Sequence, residues 1–182
     1  MERRLLAGKP NVGWLGLGTR TWGTITPFRE CQAQFEAFAH VGGNLLDTAA
    51  AYGYGTSEES LGQILRGVDR ESVVVATKAG FDPRKDPPQD CSFTTLTQTL
   101  EQSLDRLQLS HIDLWQVHVW DSRNPLDETA DALSWALSSG LARSIGVSNY
   151  TPTQVEHLRD LLNQRGMSNK LVSNQIEYSL VN

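Results

Sequence analysis

Asp47 and Tyr52 lie five residues apart in "GGNLLDTAAAYGYGTSEESLG" (42–62), a stretch of small residues poorly able to pack around an acid and a phenol. Other polar groups stand in comparable places, each just after or at the end of an apolar run. Thr19 and Arg20 follow "WLGLG", Lys78 ends "SVVVATK", and His118 ends "IDLWQVH". Ser148 and Asn149 follow "SIGV", and Gln175 lies in "LVSNQIE". A Tyr, a Lys, an Asp and a His brought to one place suit acid–base work on a carbonyl. A phenol has a reference pKa of about 10; a neighbouring ammonium lowers it, and a carboxylate holds that ammonium charged and in position. An imidazole can hydrogen-bond the carbonyl oxygen. Reduction also needs a hydride, which no side chain supplies, so a nicotinamide cofactor follows. Ser148, Asn149 and Gln175 are neutral groups suited to reading its carboxamide.

Taken singly, each residue has an ordinary structural role. Asp47 caps a loop, Tyr52 packs on a rim, Lys78 snorkels to solvent, His118 is a satisfied core histidine, and Ser148-Asn149 is turn chemistry. Their recurrence at successive strand ends makes them a constellation, because parallel α/β folds gather chemistry at the C-terminal ends of strands.

The elements that must position them are readable. Six short apolar runs (14–18, 44–47, 72–78, 112–118, 144–148, 171–177) read as strands, several of them rich enough in Val, Ile and Leu for parallel strands buried on both faces. Five amphipathic helices alternate with them. Thr26-Pro27 opens the first, with Cys31, Phe35 and Phe38 on one face. Thr56 and Glu59 predict a capping box for the second, and Leu96, Leu100, Leu104 and Leu107 form a stripe in the third. Asn124-Pro125 and Thr151-Pro152 open the last two, and Gly140 and Gly166 close them. Strict β-α alternation implies right-handed crossovers in a doubly wound sheet or a (β/α)8 barrel. The polar, Pro-rich segment 81–92 reads as an active-site loop.

Several functions are excluded. A net charge of −5, with Arg3-Arg4 the longest basic run, offers no nucleic-acid surface. No apolar stretch approaches the ~20 residues of a membrane helix, and "MERRLLAGKPNVG" lacks a signal peptide's apolar core. Cys31 and Cys91 fit no metal spacing and read as free thiols, pointing to the cytoplasm. The four histidines include no i,i+4 pair, which argues against a metal site. "IGVSNY" lacks the second glycine of a nucleophile elbow, and "GWLGLG" has its glycines in the wrong order for a dinucleotide fingerprint.

The chain resembles the aldo-keto reductase family. The resemblance is carried by "GGNLLDTAAAYGYGTSEESLG", "VVVATKAG", "IDLWQVHVWD", "ARSIGVSNYT" and "SNQIEYSLVN", in order along the chain. It implies a (β/α)8 TIM barrel and NADPH-dependent reduction of aldehydes or ketones, with a small-molecule carbonyl as partner. It implies Tyr52 as general acid, assisted by Lys78 and Asp47, with His118 orienting the carbonyl. By the same resemblance Thr19, Arg20, Asp47, Ser148, Asn149 and Gln175 approach the cofactor, and Trp22 and Trp120 line the substrate pocket.

A barrel typically takes about 250 residues, whereas 182 residues reach only a sixth strand. The expectation is a partial (β/α)8 domain over 1–182, truncated after that strand, with two open edges and an uncovered apolar interior. A non-catalytic nicotinamide-binding regulatory subunit and an inactive truncated reductase are the alternatives.

Overall fold

A computed structural model describes residues 3–6 and 9–179; the remainder of the expected 1–182 domain lies outside the described residues. Each of the six expected strands forms. They are β3 (Gly16–Gly18), β4 (Leu45–Asp47), β5 (Val74–Ala79), β6 (Ile112–Val117), β7 (Ala142–Ser148) and β8 (Leu171–Gln175). They pair in chain order, all parallel, in one six-stranded sheet. Ahead of them β1 (Arg3–Leu6) and β2 (Lys9–Gly13) form a separate antiparallel hairpin, which the sequence reading did not anticipate.

The helices are α1 (Phe28–His40), α2 (Thr56–Leu65), α3 (Phe93–Leu107), α4 (Leu126–Ser138) and α5 (Pro152–Gln164). Their boundaries follow local chemistry. Ser92 accepts from the Thr95 amide at the start of α3, and Thr151 and Gln154 close a reciprocal capping box on α5. The box expected at Thr56 and Glu59 does not form. A 3-10 turn over Tyr52–Gly55 runs straight into α2, the cap position is a left-handed Gly55, and the Thr56 hydroxyl donates to the Gly53 carbonyl.

The sheet faces differ. Leu46, Val75, Trp115, Ile145 and Val147 point to the helices, where they meet the α3 leucine stripe in the main core. The opposite face carries Gly16, Gly18, Ala76, Leu114, Gln116 and Ser173 around a cavity of about 380 Å³. Leu45, Ala76 and Leu114 give this lining its apolar part, with Asp47, Gln116, Ser173 and Gln175 as its polar groups. This face is strongly concave. Gln175 Nε2 donates to Asp47 Oδ2 at 3.3 Å, although β8 and β4 are four positions apart and would be roughly 19 Å apart in a flat sheet. The sheet is a curled half-barrel, and curling brings its C-terminal strand ends together.

Candidate active site

Parallel register sets the height of each side chain at the mouth. Asp47 pairs with Ala76, so Lys78 projects from the same face one pleat further along. Lys78 is only 1% exposed, and a buried ammonium needs partners. Its Nζ donates to Asp47 Oδ1 and Oδ2 at 2.8 and 2.9 Å and to the Thr48 carbonyl at 3.0 Å. These acceptors occupy the three ammonium protons. Tyr52 Oη lies at 3.5 Å, so Lys78 acts on the phenol chiefly as a fixed positive charge. The ammonium is 5.1 Å from the Tyr52 ring centroid.

His118 extends β6 by one residue, its amide donating to the Ala79 carbonyl at 2.8 Å. Its ring meets Tyr52 and Phe81 edge-on, at centroid distances of 5.8 and 5.5 Å. Burial, and then the Lys78 charge, push its pKa down to about 4, against a smaller opposing pull from Asp47. The imidazole is therefore neutral at pH 7. Nδ1 is buried and without a hydrogen-bond partner among the described residues, so the tautomer with its proton on Nε2 leaves no buried donor unpaired.

The neutral groups of the last two strands also converge. Ser148 Oγ donates to the Gln175 carbonyl at 3.0 Å, and Asn149 Nδ2 to Ser148 Oγ at 3.2 Å. Asn149 is left-handed (φ 57°), which turns its side chain back over the strand ends. Beside the Asp47–Lys78 pair, this uncharged cluster of donors and acceptors fits an uncharged amide.

Other expected residues are placed differently. Thr19 is fully buried, bonded to Ser57 Oγ and the Asp47 carbonyl, so its side chain braces Asp47 instead of facing a ligand. Arg20 is exposed, with its charge felt by His118. Trp22, expected in the substrate pocket, is 0% exposed in the core, its Nε1 donating to Gln34. Trp120 is half-buried at the mouth, edge-on to Tyr150 at 5.1 Å.

Two contributors escaped the sequence reading. Phe81 walls His118 and is folded back by a bridge to Gln89. Glu58, fully buried, accepts from Thr77 Oγ1 at 2.6 Å and Arg106 Nε at 2.7 Å. It ties α2, which begins four residues after Tyr52, to the strand carrying Lys78 and to α3. Glu58 was readable only as the middle of an acidic helix start, and Phe81 had no sequence signal.

A sequence profile of the aldo/keto reductase family matches residues 14–182. The chain belongs to that family. It is 34% identical over 155 residues to the aldo-keto reductase YhdN of Bacillus subtilis, covering 84% of this chain and 46% of the relative. It is 35% identical over 142 residues to an L-glyceraldehyde 3-phosphate reductase of Escherichia coli K12, covering 75% and 40%. It is also 30% identical over 162 residues to a probable voltage-gated potassium channel subunit beta of rice, covering 88% and 49%. The chain spans about half the length of the curated relatives it matches. This aldo/keto reductase region has, among its described residues, no helix long and apolar enough to cross a membrane and no cluster of metal-ligating side chains.

Proposed function

We propose that this chain carries the acid–base half of an NADPH-dependent reductase that converts a small aldehyde or ketone to an alcohol in the cytoplasm. The observation carrying the proposal is a buried, triply bonded ammonium 3.5 Å from a phenol oxygen, with a neutral imidazole against the same phenol. Tyr52 donates its proton to the carbonyl oxygen, and Lys78 stabilises the phenolate left behind. Asp47 fixes Lys78, and neutral His118 donates from Nε2 to orient the carbonyl. Ser148, Asn149 and Gln175 hold the nicotinamide carboxamide, with Arg20 towards the cofactor and Trp120 towards the substrate. When bound, the nicotinamide supplies the hydride, so that hydride and Tyr52 proton together complete the alcohol.

The test is carbonyl-dependent consumption of NADPH, repeated with Tyr52→Phe. The variant is expected to lose about 10²–10⁴-fold in turnover while binding NADPH as before. Unchanged turnover would remove Tyr52 from the mechanism. A second reading, a nicotinamide-binding regulatory subunit, draws on the similarity to the rice channel subunit. Saturable NADPH binding with no turnover on a broad aldehyde panel would favour it. Binding too weak to saturate would instead mark the chain as an incomplete reductase.

A further inference from the structure

A second cavity, of about 290 Å³, lies between the 80–92 loop and helix α3, outside the Tyr52–His118 cleft. Thr95, Gln98, Thr99, Gln102 and Arg106 form one wall, recurring at the three- and four-residue spacing of a single helix face. Ala50 and Ala51, which lead into Tyr52, line the cavity too, as does Phe81, whose ring also meets His118. Arg84 spans the rim. Its guanidinium donates twice to Asp82, at 2.9 and 2.8 Å, and lies 4.8 Å from the Tyr54 ring centroid.

Two of the three cations here are already matched. Arg84 is bound to Asp82, Arg106 to buried Glu58 at 2.7 Å, and the Lys85 charge is felt by Asp82 and Asp90. An anion entering the cavity meets the Asp82 and Asp90 carboxylates beside Lys85, which makes no ion pair among the described residues, and has to break an ion pair to gain either guanidinium. An apolar molecule would strip water from amides and carboxylates and return no hydrogen bonds. Apart from Lys85, the uncommitted groups are neutral. The side-chain amides of Gln98 and Gln102 are exposed and make no hydrogen bond among the described residues, and each offers two donors and an acceptor. With the Asp90 carboxylate, which already accepts from Ser92, Thr95 and Asn124 and keeps a further lone pair, they present the donors and acceptors that neighbouring hydroxyls satisfy. Ala50, Ala51 and Phe81 supply an apolar patch for a C–H face. The volume lies at the lower end of small-molecule pockets, roughly 300–1,000 Å³, enough for one small molecule.

We propose that this cavity is a second, non-catalytic binding site for a single neutral polyhydroxylated molecule, a monosaccharide or an open-chain polyol. An occupant touches Phe81 and the Ala50–Ala51 segment, and so contacts the supports of both His118 and Tyr52. The site does not depend on the carbonyl chemistry proposed above.

Saturation-transfer NMR and calorimetric titration with D-glucose and with sorbitol test it, with inorganic phosphate as the charged control. At least one polyol is expected to bind saturably and phosphate not to bind. Gln98→Leu with Gln102→Leu is expected to weaken polyol binding about tenfold or more, with helicity and melting temperature unchanged. Gln98→Ala with Gln102→Ala gives the same loss if the leucines perturb folding, and Tyr52→Phe leaves binding intact. The proposal is overturned if neither polyol saturates, if phosphate binds more tightly than both, or if the folded glutamine variants bind like the parent.

Discussion

Asp47 and Asp113 sit at opposite ends of the sheet, and each is paired with cations in an inverted arrangement. At the N-terminal end the anion is buried and the cations reach inward. Asp113 is 0% exposed, accepting from Arg70 at 2.6 Å, the Val75 amide at 2.9 Å and Arg143 at 3.4 Å, while the two arginine side chains are 22% and 36% exposed. At the C-terminal end the cation is buried and the anion is the more open partner, with Lys78 at 1% and Asp47 at 19%. A buried carboxylate gripped by arginines and a backbone amide is an anchor. A buried ammonium gripped by a carboxylate is an aimed charge, and what it faces is Tyr52. The same kind of ion pair therefore fastens the strands at one end and, in the proposed mechanism, prepares chemistry at the other, as expected where barrel chemistry keeps to the C-terminal face.

Three measurements break or sharpen that contrast. The largest effect is expected from Asp113→Ala, which leaves the buried Val75 amide without its acceptor and takes the carboxylate away from Arg70 and Arg143. A loss of about 3–5 kcal/mol in urea-unfolding stability is expected, with NADPH affinity unchanged while the protein remains folded. Lys78→Met is expected to do the reverse. A flexible apolar side chain fills the space of the buried ammonium, and Asp47 keeps Gln175 as a partner, so the stability loss is expected to be smaller, about 1–3 kcal/mol, while carbonyl reduction falls about 10²-fold or more. If Lys78→Met unfolds the protein as readily as Asp113→Ala, the two ends do not differ as described.

The smallest effect concerns His118. Its folded pKa of about 4 lies below the usual 6.5, so the unfolded chain takes up a proton first as pH falls. Stability is then complete above about pH 6.5 and declines towards pH 4. His118→Asn is expected to flatten that part of the decline, read as a smaller drop in melting temperature from about pH 7 to about pH 5. An equal drop in both proteins would show that His118 titrates normally.

Much of this architecture was legible because the governing forces are local. Short apolar runs set between Pro-first, Gly-last helices read as strands, so each expected strand became one of β3–β8, with β5, β6 and β7 buried on both faces and the edge strands β3 and β8 largely exposed. Lys78 and Asp47 were legible for the same reason, as polar residues ending such runs. What failed depended on partners distant in sequence or on backbone handedness. The β1–β2 hairpin has no turn dipeptide and mixes charge into both strands. The family resemblance put Trp22 in the substrate pocket, yet the Thr21–Thr26 turn folds it into the core. The Thr56 box failed because its cap position belongs to a left-handed glycine.

That turn bears on any attempt to make the protein more heat-resistant. Gly53, Tyr54 and Gly55 are all left-handed, at φ 56°, 56° and 101°. Replacing loop glycines with alanine commonly stabilises a protein where the conformation allows it, but here the remedy reverses. A methyl at 53 meets Thr24 and Thr56, and one at 55 lies 2.7 Å from Arg106 Cδ. Tyr54→Gly relieves about 1–2 kcal/mol of backbone strain and removes the ring on which Arg84 rests. Thermal hardening and the aim of Tyr52 draw on the same three residues, so a heat-resistant version has to gain its stability elsewhere in the chain.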